Sequence, residues 1–82
     1  MSTITLRYYA AAAEAAGCEQ EQLAFDADVT LLDLKTSLVE RYGPSMGKIL
    51  KGGSFLIDGK VRRDNGLING DSVDVLPPFA GG

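Results

Sequence analysis

The sequence predicts an α+β domain in which one long helix crosses a single sheet, and three observations carry that reading. Residues Thr3 to Tyr9 alternate apolar and polar side chains, the period of a half-buried strand. "DVTLLDLKTSLVERYG" repeats leucines at three- and four-residue spacing before it stops at Gly43-Pro44. "SFLIDGKVRR" and "SVDVL" then supply short alternating runs around turn residues.

Taken in order, the first strand turns Ile4, Leu6 and Tyr8 to one face and Thr3, Thr5 and Arg7 to the other. "AAAAEAAG", Ala10 to Gly17, consists mostly of the strongest helix former and closes on a glycine suited to a left-handed cap, so a short helix follows. "EQEQLAF" is a second strand with Glu21, Leu23 and Phe25 on one side, and its polar opening marks it as an edge. In the long helix Thr30 caps the first turn and Asp33 lies near the positive end. Leu31, Leu34, Leu38 and Tyr42 form its buried stripe, which Leu32 and Val39 are expected to widen. Residues 44–53, with Gly47, Gly52 and Gly53, read as the loosest internal segment. Asp58-Gly59 turns a hairpin, and Asn69-Gly70-Asp71 makes the next turn. The last strand points Val73 and Val75 inward and Asp74 outward, until Pro77-Pro78 ends the pairing.

Composition bounds the function. Eighty-two residues make one small domain with a thin stability margin, and 45% hydrophobic with 23% charged residues suits a globular chain. Cys18 is the only cysteine and histidine is absent, so neither a disulfide framework nor a Cys/His zinc site is expected, and no metal site is assigned. The net charge of −3 argues against nucleic acid as the main partner. "MSTITLRYYA" lacks the form of a signal peptide and no run approaches a membrane span, so the expectation is a soluble cytoplasmic protein with no membrane partner. Lys60, Arg62 and Arg63 form a small basic cluster, either a solvated hairpin face or a docking site. Cys18, flanked by Glu19 and Glu21, reads as a bystander, and Asp26 and Asp28 as turn chemistry before Thr30.

The tail is the most distinctive stretch. Residues 1–76 read as the domain and 77–82, "PPFAGG", as a projecting tail held extended by its two prolines. Its reach is roughly 20 Å, enough to enter another protein's active site. Gly81 and Gly82 have no side chains and so pass through a narrow channel, with the α-carboxylate of Gly82 behind them. An ATP-dependent partner could activate that carboxylate as an acyl adenylate.

"LRYYAAAAEAAG", "INGDSVDVLPPFAGG" and the ending of two prolines, two residues and two glycines resemble the ubiquitin-like β-grasp sulfur carriers, above all the small subunits of molybdopterin synthase. The resemblance covers essentially the whole chain. It implies a mixed sheet of about five strands crossed by one main helix, with a short helix after the first strand. It further implies that Gly82 is adenylated by an E1-like enzyme, becomes a thiocarboxylate and gives sulfur to cyclic pyranopterin monophosphate within the large subunit. Leu76, Pro77, Pro78, Phe79, Ala80 and Gly81 would contact that partner. A sulfur donor protein completes the set of partners; ATP is consumed by the activating enzyme, and this chain holds no cofactor of its own. Two departures stand out: only Glu14 is charged in the first helix, and Phe79 occupies a position where a smaller residue is usual. A carrier for thiamine thiazole or cysteine synthesis, a ubiquitin-like protein modifier, or an interaction module with an irrelevant tail are the competing readings.

Overall fold

The computed structural model describes residues 2–25 and 28–78. The elements run β1 (Ser2–Tyr8), α1 (Ala11–Ala16), β2 (Gln20–Phe25), α2 (Leu31–Tyr42), α3 (Pro44–Gly52), β3 (Ser54–Ile57), β4 (Lys60–Arg62) and β5 (Ser72–Leu76). The sheet order is β2-β1-β5-β3-β4. β1 pairs antiparallel with β2 and parallel with β5, and β3 pairs antiparallel with both β4 and β5. The last strand in the sequence therefore occupies the middle of the sheet, and β2 is an edge strand, as its polar opening suggested. This mixed five-stranded sheet with α2 across it is the ubiquitin-like β-grasp arrangement.

Period-two alternation buries Ile4, Leu6 and Tyr8 from β1 and Val73 and Val75 from β5. Leu31, Leu34 and Leu38 of α2 cover them from one side. A capping box starts α2: the Asp33 amide donates to Thr30 Oγ1 at 3.0 Å and the Thr30 amide donates to Asp33 Oδ2 at 3.3 Å. The hairpin between β3 and β4 turns through Asp58 and Gly59 at φ 50° and 86°, the pair of positive angles that a two-residue turn of this hand demands.

Two expectations are corrected. Residues 44–53 are not loose: Pro44 opens a nine-residue helix at a position where its missing N–H costs nothing, and Met46 and Leu50, four apart, are buried. The glycines there masked an amphipathic period. Leu32 and Val39 do not widen the buried stripe of α2; they are 53% and 39% exposed, on the face of the helix turned away from the core that Leu31, Leu34 and Leu38 enter.

Ala10, at the N-cap of α1, holds φ 50° and ψ −122°, a conformation that the Cβ of an L-residue disfavours. Ala10→Gly is expected to raise unfolding free energy by about 1 kcal/mol, relief of strain outweighing the freer unfolded chain. Urea unfolding checks this, and a less stable variant would contradict the strain.

Candidate functional site at the root of the tail

The tail leaves from the central strand of the sheet. β5 is bonded on both sides, with Val73 and Val75 fully buried, and the Tyr9 amide extends the ladder by donating to the Val75 carbonyl at 3.2 Å. Leu76 is matched with Ser54 of β3 and is the last residue of the strand, since Pro77 has no amide hydrogen to continue it. The end of α3 then closes over the exit. Gly53 lies so near the strand that a Cβ there would collide with the carbonyl oxygens of Leu76 and Ile49. A Cβ on Gly52 would lie 3.3 Å from Cγ of Pro78. Direction is thus imposed on the chain by a central strand, two prolines and the close approach of a helix end. Leu76 and Pro77 are half-buried and Pro78 is exposed. Phe79, Ala80, Gly81 and Gly82 lie outside the described residues.

The basic cluster is split by its own neighbours. Arg62 forks onto Asp64, Nε to Oδ1 and Nη2 to Oδ2 both at 2.7 Å, and Nη2 also donates to the Leu67 carbonyl at 3.0 Å. That guanidinium, together with the Gly66 amide, holds the Asp64 carboxyl well below the usual carboxylate range. Lys60 and Arg63 are exposed on the same hairpin, so Arg62 serves the loop after β4 while its neighbours face solvent.

A second constellation was not legible as such. The Glu21 carboxylate, on the inward side of edge strand β2, accepts from the Tyr8 hydroxyl at 2.5 Å, from the Tyr42 hydroxyl, and from Arg41 Nη2 at 3.3 Å. The two tyrosine rings meet edge to face with centroids 6.2 Å apart. Burial and the Glu21 hydrogen bond push the Tyr8 phenol far up. For Glu21, burial acts upward, but the hydroxyls of Tyr42 and Tyr8 and the charge of Arg41 outweigh it and hold the carboxyl below its ordinary value. With both carboxylate oxygens engaged, this group fastens β2 to β1 and α2. The only hint in the sequence was a glutamate at an inward position of the alternation.

A folded-state carboxyl lowered in this way contributes stability above its unfolded value of 4.5, and that contribution is lost as pH falls through the lowered value. Glu21→Gln is therefore expected to be less stable than the parent at pH 7 and to show a flatter loss of stability below about pH 4.5. Thermal melts across that range check it; identical acid limbs would remove Glu21 from the account.

On the outer face of the sheet, Asp74 stands between Arg7 and Leu56 in register, and its Oδ1 is buried with no partner among the described residues. Cys18 is a free thiol, half-buried against the core. Among the described residues no cluster of three or more His, Cys, Asp or Glu side chains could hold a metal, and no helix is long and apolar enough to cross a membrane.

Comparison with known proteins fits this geometry. The Haloferax volcanii HVO 2177 protein is 28% identical, with 99% of this chain and 87% of that one aligned at a TM-score of 0.79. Small archaeal modifier protein 1 of the same organism is 23% identical over 99% of this chain and 100% of its own, at 0.76. A putative molybdopterin converting factor subunit 1 from Pyrococcus furiosus is 21% identical over 96% and 100%, at 0.78. No curated protein matches the sequence. The ThiS family model matches residues 6–82, from the first strand through the glycine tail, and with the β-grasp fold around a central last strand this chain belongs to the ThiS family of ubiquitin-like sulfur carriers.

Proposed function

We propose that this protein is the sulfur-donating small subunit of a molybdopterin synthase, with Gly82 as the residue that carries the sulfur. The observation that supports it most is that β5, the central strand, ends at Leu76 and runs into Pro77 and Pro78 beside Gly52 and Gly53, immediately ahead of the glycine-ended segment of the sequence. In this reading an E1-like enzyme joins the Gly82 carboxylate to the adenylyl group of ATP, releasing pyrophosphate. Sulfur handed over by a donor protein at the sulfide level, as HS−, then attacks the acyl carbon, the bond to AMP breaks, and the terminus is left as a thiocarboxylate. The loaded tail enters the large subunit, where the thioacid sulfur, a better nucleophile than a carboxylate oxygen, attacks cyclic pyranopterin monophosphate. Hydrolysis returns Gly82 to the carboxylate, and two rounds build the dithiolene. The chain supplies sulfur and reach, and the partner supplies the pocket and the acid–base groups. Such work belongs in the cytoplasm, where ATP is available. The Pyrococcus furiosus protein described as a molybdopterin converting factor subunit agrees with this assignment, and likeness to a small archaeal modifier protein favours one alternative, attachment of Gly82 to lysines of other proteins.

Intact mass spectrometry tests the reading. After incubation with ATP, an E1-like enzyme and a sulfide source, the protein is expected to gain the mass of one oxygen-to-sulfur exchange and to lose it when the large subunit and the pterin precursor are added. Loading without discharge onto the pterin would move the carrier to thiazole or cysteine synthesis. Lysine-linked conjugates would assign it as a modifier. No loading would refute the carrier role.

A further inference from the structure

The outward face of α2 presents an apolar ridge that the domain itself does not cover. Leu32, Thr36 and Val39 stand at i, i+4 and i+7, and the two apolar members are among the most exposed large hydrophobic residues of the chain. A hollow flanks the ridge on each side. Toward β2 it measures about 420 Å³, has Phe25 and Val29 in its wall, and carries two acids, Asp28 and Asp33. Toward α3 it measures about 440 Å³, has Gly47 and Leu50 in its wall, and carries Lys35 and Lys51 with one acid, Glu40. Thr36 borders both.

We infer that this face is the interface of a two-fold symmetric dimer of the chain, with the acidic hollow of each copy lying over the lysine-bearing hollow of the other. A two-fold axis lying in the interface, at right angles to the line joining the hollows, exchanges them, so the favourable juxtaposition occurs twice. The same operation lays the ridge of each copy along that of its mate, so that Leu32 and Val39 are covered by their own counterparts. The charges are available for it. The ion pairs among the described residues are Arg41–Glu21 and Arg62–Asp64, neither of which involves Asp28 or Lys51. Lys35 reaches Asn65 with one of its hydrogens and has others to give. Asp33 is partly engaged in the capping box, which leaves Asp28 as the freer acid. One helix face makes a small interface, and the net charge of −3 on each copy opposes association, so the dimer is weak. None of the residues bordering the hollows belongs to the root of the tail, so both tails stay available to partners.

Sedimentation equilibrium on the full chain, at physiological salt and up to about 1 mM protein, decides the matter. The expected result is a monomer–dimer equilibrium that Asp28→Lys or Lys51→Glu, each alone, weakens at least about tenfold by setting like charges together. Mixing the two variants is expected to restore association, because in the mixed dimer each reversed hollow faces an opposite charge. Circular dichroism of the variants verifies that they are folded. A monomer throughout the range overturns the inference, as does a dimer indifferent to both reversals, which would lie on another surface. A complex formed only with a different protein on this face also overturns it. None of these outcomes depends on whether Gly82 is loaded with sulfur.

Discussion

Leu38→Ala lowers the unfolding free energy by about 2–5 kcal/mol, a loss comparable with the entire stability expected of a domain this size. Leu38 is completely buried, midway along the one long helix, within the single core that also holds Ile4, Leu6, Val73 and Val75. Truncation removes the transfer free energy of the lost methyl groups and leaves a void between helix and sheet. With α3 already packed alongside, little can move to fill it. Val39→Ala, one residue away, removes a side chain that is 39% exposed and is expected to cost well under 1 kcal/mol. Urea unfolding followed by circular dichroism separates the two; equal effects would refute the orientation of α2.

If Gly82 carries the sulfur as proposed, Gly82→Ala is expected to reduce sulfur loading at least about 100-fold while leaving the melting temperature unchanged, because an added methyl would displace the reacting carboxyl within a channel that admits bare backbone. The substitution lies six residues beyond the last residue of β5 in the sequence, and the core residues all precede it. The readout is the rate of thiocarboxylate formation by mass, set beside a thermal melt. Parental loading by the variant would remove the threading argument, and a lowered melting temperature would show that residue 82 serves the domain and not a partner.

Much of this architecture was legible because its elements declare themselves locally. Thr30 and Asp33 three apart marked the start of α2, Asp58-Gly59 marked the hairpin, and the alternation in "SVDVL" marked a strand with two buried valines. What escaped was decided by packing between elements. Leu32 and Val39 are as apolar as Leu31 and Leu38, and which pair the core accepts is set by how α2 is rotated over the sheet. α3 itself was hidden because Gly47 and Gly52 lower helix propensity, whereas burial of Met46 and Leu50 overrides it. Glu21 is a further case, since nothing near it in the chain announces that Tyr42, twenty-one residues on, will meet the same carboxylate oxygen as Tyr8. The root of the tail was readable as far as Pro77 and Pro78; the closeness of Gly53 to Leu76 was not, for it depends on where α3 ends.

The central position of β5 also governs how the molecule bears force. A force applied to the chain beyond Leu76 along the strand axis would pull on the C-terminal end of β5. The load falls at once on two ladders, the parallel one with β1 and the antiparallel one with β3, whose bonds lie across the direction of pull. Such bonds must yield together rather than one after another, so traction on the tail is resisted by the whole middle of the sheet. An edge strand pulled in the same direction would carry the load on one ladder instead of two. Attachment of residues 77–82 to β5 thus ties any pull on that segment to two ladders of the sheet at once.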